Sequence, residues 1–229
     1  MECFLMHQKS HNMRKLALLF TGLLWHCSLL AQELPFWNEI KAFKEQDSLQ
    51  MPPKDGILFV GSSSIRMWDN LQEAFPHQTV LNRGFGGSNL LDLKHYLSDI
   101  VFPYRPKQII IYSGENDIAS GTVQAQEVLA RFEDVFQAIR QEMPQVPITF
   151  VSIKPSPSRW EFKPTIEEAN RLIRAYLRKQ PKTSYADVYP LMLNQNKRPK
   201  PEIFSQDSLH MNRKGYQIWQ KTIAPHLSK

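Results

Sequence analysis

Four short polar clusters follow apolar runs in this chain, and their side chains suit nucleophilic chemistry at a carbonyl. The first is Gly61-Ser62-Ser63-Ser64. A hydroxyl at a strand-to-helix turn stands beside helix N-terminal amides that can stabilise developing negative charge. Gly followed by serines is also an ordinary turn and helix cap, and no second glycine follows to make G-x-S-x-G. The second cluster, Asn82-Arg-Gly84-Phe-Gly86-Gly87-Ser88-Asn89, allows backbone N–H groups to approach a ligand closely. It is not a dinucleotide fingerprint, because Asn89 stands where G-x-G-x-x-G counted from Gly84 needs glycine. The third, Gly114-Glu115-Asn116-Asp117, offers the Asn116 amide as a donor to an oxyanion, or simply a turn. In the fourth, Asp207-Ser-Leu-His210, the carboxylate can orient the imidazole and leave its other nitrogen free to take a hydroxyl proton.

The elements around these clusters alternate. Ile57–Val60, Thr79–Leu81, Gln108–Tyr112, Ile148–Ile153 and Tyr185–Val188 are apolar enough for buried parallel strands. Val128, Phe132, Val135, Phe136 and Ile139 fall on one helical stripe. Thr165 and Glu168 have capping-box spacing before Ala169, Ile173, Tyr176 and Leu177. Asn212 is placed to cap a last helix that buries Tyr216, Trp219 and Ile223. An earlier helix near Trp37–Phe43 is expected outside the first strand. Such alternation implies a parallel sheet covered on both faces, with polar loops collected at the carboxyl ends of its strands.

In their order and spacing, the four clusters resemble those of the SGNH hydrolases, also called GDSL esterases and lipases. The similarity runs from about Ile57 to the C-terminus. Phe59-Val-Gly-Ser-Ser-Ser-Ile-Arg-Met-Trp68, the Asn82–Ser88 turn and Ser152-Ile-Lys-Pro-Ser-Pro-Ser-Arg-Trp160 are similar to a secreted bacterial branch, and to the platelet-activating-factor acetylhydrolase catalytic-subunit group. The resemblance implies a flavodoxin-like three-layer α/β/α fold with a five-stranded parallel sheet. It also implies Ser63 as nucleophile, His210 as base, Asp207 as its orienting partner, and an oxyanion hole from the Ser63 and Gly87 amides and the Asn116 side chain. Ser62 stands where the family carries Asp, which leaves Ser62 and Ser64 as rival nucleophiles, and Ser208 stands where it carries Gly. The implied reaction is ester hydrolysis through an acyl-enzyme, with no metal and no cofactor.

Short connections after most strands leave no obvious lid for a long acyl chain, favouring small groups such as acetyl on a carbohydrate or small lipid. Arg159 and Trp160 are candidates for the leaving-group side. An acyltransferase on the same site, or a carbohydrate-binding relative without catalysis, are the other readings. Acyl transfer to an added alcohol would mark the first, and loss of Ser63, Asn116 or His210 the second; all three are present.

The first thirty-one residues have the layout of a signal peptide. Arg14 and Lys15 precede an apolar run from Leu16 to Leu30, and Ala31 meets Gln32-Glu33. That run is shorter than the ~20 residues needed to span a bilayer. Met13 is an alternative start, and His26 argues against a lipoprotein signal at Cys27. Cleavage after Ala31 leaves residues 32–229 as a single domain, secreted or periplasmic, with no membrane span. It removes three cations, one anion, both cysteines and three histidines. The remaining 198 residues carry 25 basic and 21 acidic side chains, a net +4, and only His77, His95, His210 and His226 for imidazole chemistry. With no thiol, disulfide and cysteine-zinc chemistry are excluded from the mature chain. The full chain's +6 is scattered, with no block of five like charges, so no nucleic-acid partner is expected.

Overall fold

The structure is a computed structural model and describes residues 34–228. The chain divides into two units, Met1–Trp37 and Asn38–Lys229. In the first, the described residues form a turn closed by the Trp37 N–H on the Leu34 carbonyl at 3.0 Å. The signal-peptide segment 1–31, with Cys3 and Cys27, lies outside the described residues.

The second unit carries five parallel strands: β1 (Ile57–Gly61), β2 (Val80–Gly84), β3 (Gln108–Tyr112), β4 (Ile148–Val151) and β5 (Thr183–Ala186). Their order is β2-β1-β3-β4-β5. Register places Gly61 beside both Gly84 and Tyr112. After β2 the chain crosses back over β1 to lay down β3. The connections therefore diverge at the carboxyl ends of β1 and β3 and open a crevice there.

Period-two alternation sends successive strand side chains to opposite faces. Ile57, Phe59, Ile110, Tyr112 and Val151 share one core with Ile65, Trp68, Trp219 and Ile223. That face is covered by α2 (Ser63–Arg66), α3 (Leu71–Ala74) and the C-terminal helix Arg213–Ile223. On the other face lie α4 (Leu90–His95), α5 (Leu97–Ile100), α6 (Glu115–Ile118), α7 (Ala125–Glu142) and α8 (Lys163–Leu177). There Phe132 of α7 meets Phe150 of β4 edge-on at 4.9 Å, and Phe136 meets Tyr176 of α8 at 5.4 Å. The expected stripe on α7 is buried throughout. The C-terminal helix, α9, buries Tyr216, Trp219 and Ile223 and is capped by Asn212 as its sequence predicts.

Several boundaries differ from expectation, each for a local reason. β4 stops at Val151 because the Asn170 side chain takes both the N–H and the carbonyl of Ile153, each at 2.8 Å. β5 begins two residues early, at Thr183, and ends two residues early, where the Ser152 hydroxyl accepts the N–H groups of Val188 and Tyr189 at 3.0 Å. Helix α8 begins at Lys163, with Pro164 in its first turn, so Thr165 is inside the helix rather than its cap. Glu168 instead holds Arg171 at 2.6–2.7 Å. The early helix, α1, runs Trp37–Leu49. Its polar anchors reach β2 and the turn that follows: Asp47 pairs with Arg83 at 2.5 Å, and Glu39 accepts the Gly86 N–H at 3.0 Å.

Candidate active site

The end of β1 is shaped by one glycine. Gly61 has φ +128°, and a Cβ there would lie 1.8 Å from the Tyr112 carbonyl oxygen. Only glycine lets β1 turn this close to β3. The Ser62 N–H then bonds Tyr112 O at 3.1 Å, and Ser62 becomes the extended N-cap of α2. Ser63, first residue of α2, places its Oγ 2.9 Å from His210 Nε2. Ser64 is buried against the Tyr112 phenol, and Ser62 is nearly as buried. Of the three serines, Ser63 is thus the one brought to the histidine. Its backbone N–H, in the first turn of a helix, has no acceptor among the described residues.

His210 is held from behind. Its Nδ1 lies 2.6 Å from Asp207 Oδ2, while Asp207 Oδ1 accepts the N–H groups of Leu209 at 3.0 Å and His210 at 2.9 Å. Burial raises the Asp207 pKa, but the His210 side-chain bond, those two amides and the imidazole charge outweigh it and bring it down to about 2. An ionised Asp207 requires the proton on Nδ1, which leaves Nε2 as the acceptor for the Ser63 hydroxyl. The loop turns through Ser208 at φ +57°, where the family's glycine would sit without strain. Downstream, Asn212 fastens the loop to α9: Oδ1 accepts Lys214 N–H at 2.9 Å and Gly215 N–H at 3.4 Å, and Nδ2 donates to Glu202 O at 3.0 Å and Phe204 O at 2.9 Å.

The ends of β2 and β3 supply the remaining expected groups. Asn116 Nδ2 donates to Ser88 O at 3.0 Å, which uses one of its two hydrogens. A Cβ placed on Gly87 would meet only Asn116 Nδ2, at 3.9 Å, so the absent side chain leaves open space beside that amide. The Gly87 N–H has no acceptor among the described residues. Behind them, buried Asp117 accepts Leu90 N–H at 3.0 Å and Arg131 Nη1 at 2.9 Å. Burial raises the Asp117 pKa, and the bond to Arg131 opposes it.

One buried network was not anticipated. Glu115, beside Asn116, accepts Lys154 Nζ at 2.5 Å, Ser156 Oγ at 2.9 Å and Tyr112 OH at 2.9 Å. Lys154 is wholly buried; desolvation lowers its pKa while Glu115 pulls it back up. The sequence signals were a lysine directly after the Ile148–Ile153 run and a glutamate three residues beyond Tyr112. Arg159 and Trp160 lie in the 3-10 turn Pro157–Phe162, whose Ser158 N–H bonds Ser208 O at 3.1 Å. That contact places the turn against the Asp207–His210 loop. Among the described residues, no three His, Cys, Asp or Glu side chains converge as a metal would need.

Together, the geometry presents a hydroxyl, an imidazole acceptor, an orienting carboxylate and a group of N–H donors at the crevice between β1 and β3. The solved structures with this fold include a Streptococcus pneumoniae protein named for platelet activating factor, at 22% identity and TM-score 0.71, covering 91% of this chain and 99% of that one. Another is a GDSL-like lipase from Bacteroides thetaiotaomicron, at 20% identity and TM-score 0.70, covering 82% and 96%. A third is a variant of a Geobacillus acetyl-xylooligosaccharide esterase, at 15% identity and TM-score 0.61, covering 76% and 94%. No curated protein matches the sequence significantly. The model of the GDSL-like lipase/acylhydrolase family matches residues 58–218, which span all four polar clusters, and the chain belongs to that family as an ester-hydrolysing enzyme.

Proposed function

We propose that the protein is a serine esterase that removes short acyl groups, such as acetyl, from a carbohydrate or small lipid. The observation that carries this is the continuous relay Asp207 Oδ2, His210 Nδ1, His210 Nε2, Ser63 Oγ, at 2.6 and 2.9 Å. In this reading His210 takes the Ser63 proton as the oxygen attacks the ester carbonyl. The Ser63 and Gly87 amides and the Asn116 side chain hold the oxyanion. His210 then protonates the departing alcohol, and water, deprotonated by the same imidazole, releases the acid. The preference for a small acyl group rests on the short connections after most of the strands. A named acetyl esterase among the structural relatives accords with it.

Neutral aryl acetates combined with a fluorophosphonate probe and peptide mass spectrometry test the assignment. The expected label is on Ser63, and Ser63→Ala is expected to lose most turnover while ~10³-fold catalysis over water persists. Ser62→Ala and Ser64→Ala are expected to keep substantial activity. Labelling of either neighbour in the wild type would move the nucleophile. Acyl transfer to an added alcohol faster than hydrolysis would replace esterase by acyltransferase. We further propose export through residues 1–31 and a mature single domain 32–229, a reading supported by the basic, apolar and small-residue layout of that segment.

A further inference from the structure

One cation beside the site lacks an anion. The Nη1 of Arg159 is shut off from solvent and has no hydrogen-bond partner among the described residues. Its position is defined by the chain on either side: Arg159 N–H bonds Ser156 O at 3.2 Å, and Ser158 N–H bonds Ser208 O at 3.1 Å. The Arg159 guanidinium and the Asp207 carboxylate each act electrostatically on the buried Lys154 ammonium. Neither nearby carboxylate is free to serve Arg159. Glu115 is taken by Lys154, Ser156 and Tyr112, and Asp207 by the His210 ring and two amides. On the next residue, the Trp160 ring carries Arg198 at 5.0 Å and Lys163 at 5.4 Å, which adds positive field at the same rim.

A buried N–H without an acceptor is unfavourable, and a guanidinium fork matches carboxylate and phosphate oxygens in pairs. We infer that Arg159 binds an anionic oxygen group, a carboxylate or a phosphate, on the alcohol portion of the ester that Ser63 attacks. The inference rests on the serine-esterase reading and adds the substrate class: an acylated acidic sugar or a phosphorylated alcohol. A short acyl group has no place for the charge, which assigns it to the leaving side.

The test compares phenyl acetate, 3-acetoxybenzoate and 3-acetoxyphenyl phosphate on wild type, Arg159→Gln, Arg159→Lys and Arg198→Gln. Intrinsic leaving-group reactivity cancels when each enzyme is scored by its anionic-to-neutral ratio of kcat/KM. Arg159→Gln is expected to lower that ratio by about tenfold or more, chiefly through KM, with Arg159→Lys intermediate because it keeps charge without the fork. Arg198→Gln, which removes an outer charge only, is expected to shift the ratio by about twofold and to lose that effect in high salt. A drop confined to the benzoate or to the phosphate ester identifies which anion is native. A ratio unchanged in both Arg159 variants, with the neutral ester still turned over, overturns the inference and leaves the esterase reading standing. No turnover of any ester and no fluorophosphonate label on wild type overturns the esterase reading, and the inference with it.

Discussion

Ser63, Gly87 and Asn116 separate structure from chemistry at the residue scale. Gly61 cannot accept a side chain, since a Cβ would sit 1.8 Å from a carbonyl oxygen, whereas at Gly87 the nearest atom to an added Cβ is the Asn116 amide at 3.9 Å. Gly87→Ala is therefore expected to fold with an unchanged Tm and yet hydrolyse esters more slowly, because its methyl group enters the space proposed for the oxyanion. Asn116→Ala is expected to lower kcat by about 10²–10³, the loss typical of one oxyanion donor. Thermal melts beside kcat separate the two effects; a Gly87→Ala protein with wild-type turnover would remove that space from the site. Asp207 contributes no break to the rate profile above about pH 2. Its folded pKa lies at about 2, below its unfolded value, so the carboxylate keeps its charge above that pH and is lost as a partner only below it. Asp207 is therefore expected to add no proton-binding step to the profile above about pH 3, read as an acid-side slope of log kcat/KM no steeper than one. A second break well above pH 2 would show that Asp207 is not held as described.

At the scale of elements, the site depends on joints between loops from different strands. Glu115 opens α6, Lys154 and Ser156 follow β4, and the Ser158 N–H carries the connection on to Ser208. The joint links the Asn116 donor to the Asp207–His210 loop through one buried ion pair, with Lys154 wholly buried and Glu115 at 5% exposure. Lys154→Met strands the Glu115 charge and is expected to destabilise the fold by about 3–5 kcal/mol in urea unfolding. Adding Glu115→Gln removes that stranded charge and should recover much of the loss. A Lys154→Met protein as stable as wild type would mean that the pair is not desolvated as found. Elements themselves were legible where one physical signal dominated. The stripe of α7 and the Asn212 cap of α9 follow from spacing alone. The ends of β4 and β5 were not, because Asn170 and Ser152 replace backbone partners with side chains brought in by the fold. Ser208 illustrates the reverse case: its departure from the family's glycine was visible, but its left-handed backbone was not.

The whole molecule turns on the crossing from β2 back over β1 to β3, which opens the crevice where Ser63 and Asn116 sit. Among the described residues no helix is long and apolar enough to cross a membrane. For a chain exported through residues 1–31, the intact mass of protein recovered from its native host is expected to match a start at Gln32. A mass that retains residues 14–31 would favour an anchor over a cleaved signal. By itself the sequence determined the alternation of strands and helices, and the candidacy of Ser63, Gly87, Asn116, Asp207 and His210. Apolar periodicity, turn chemistry and local spacing are properties of neighbouring residues, so they can be read without coordinates. Tertiary structure alone decided that Ser63 rather than Ser62 or Ser64 meets His210, across 147 residues of chain. It alone paired Glu115 with Lys154 and left Arg159 Nη1 without a hydrogen-bond partner among the described residues. Which atoms meet at a few ångströms depends on the direction each side chain leaves its turn and on the register of strands distant in sequence, and neither is encoded in residue type.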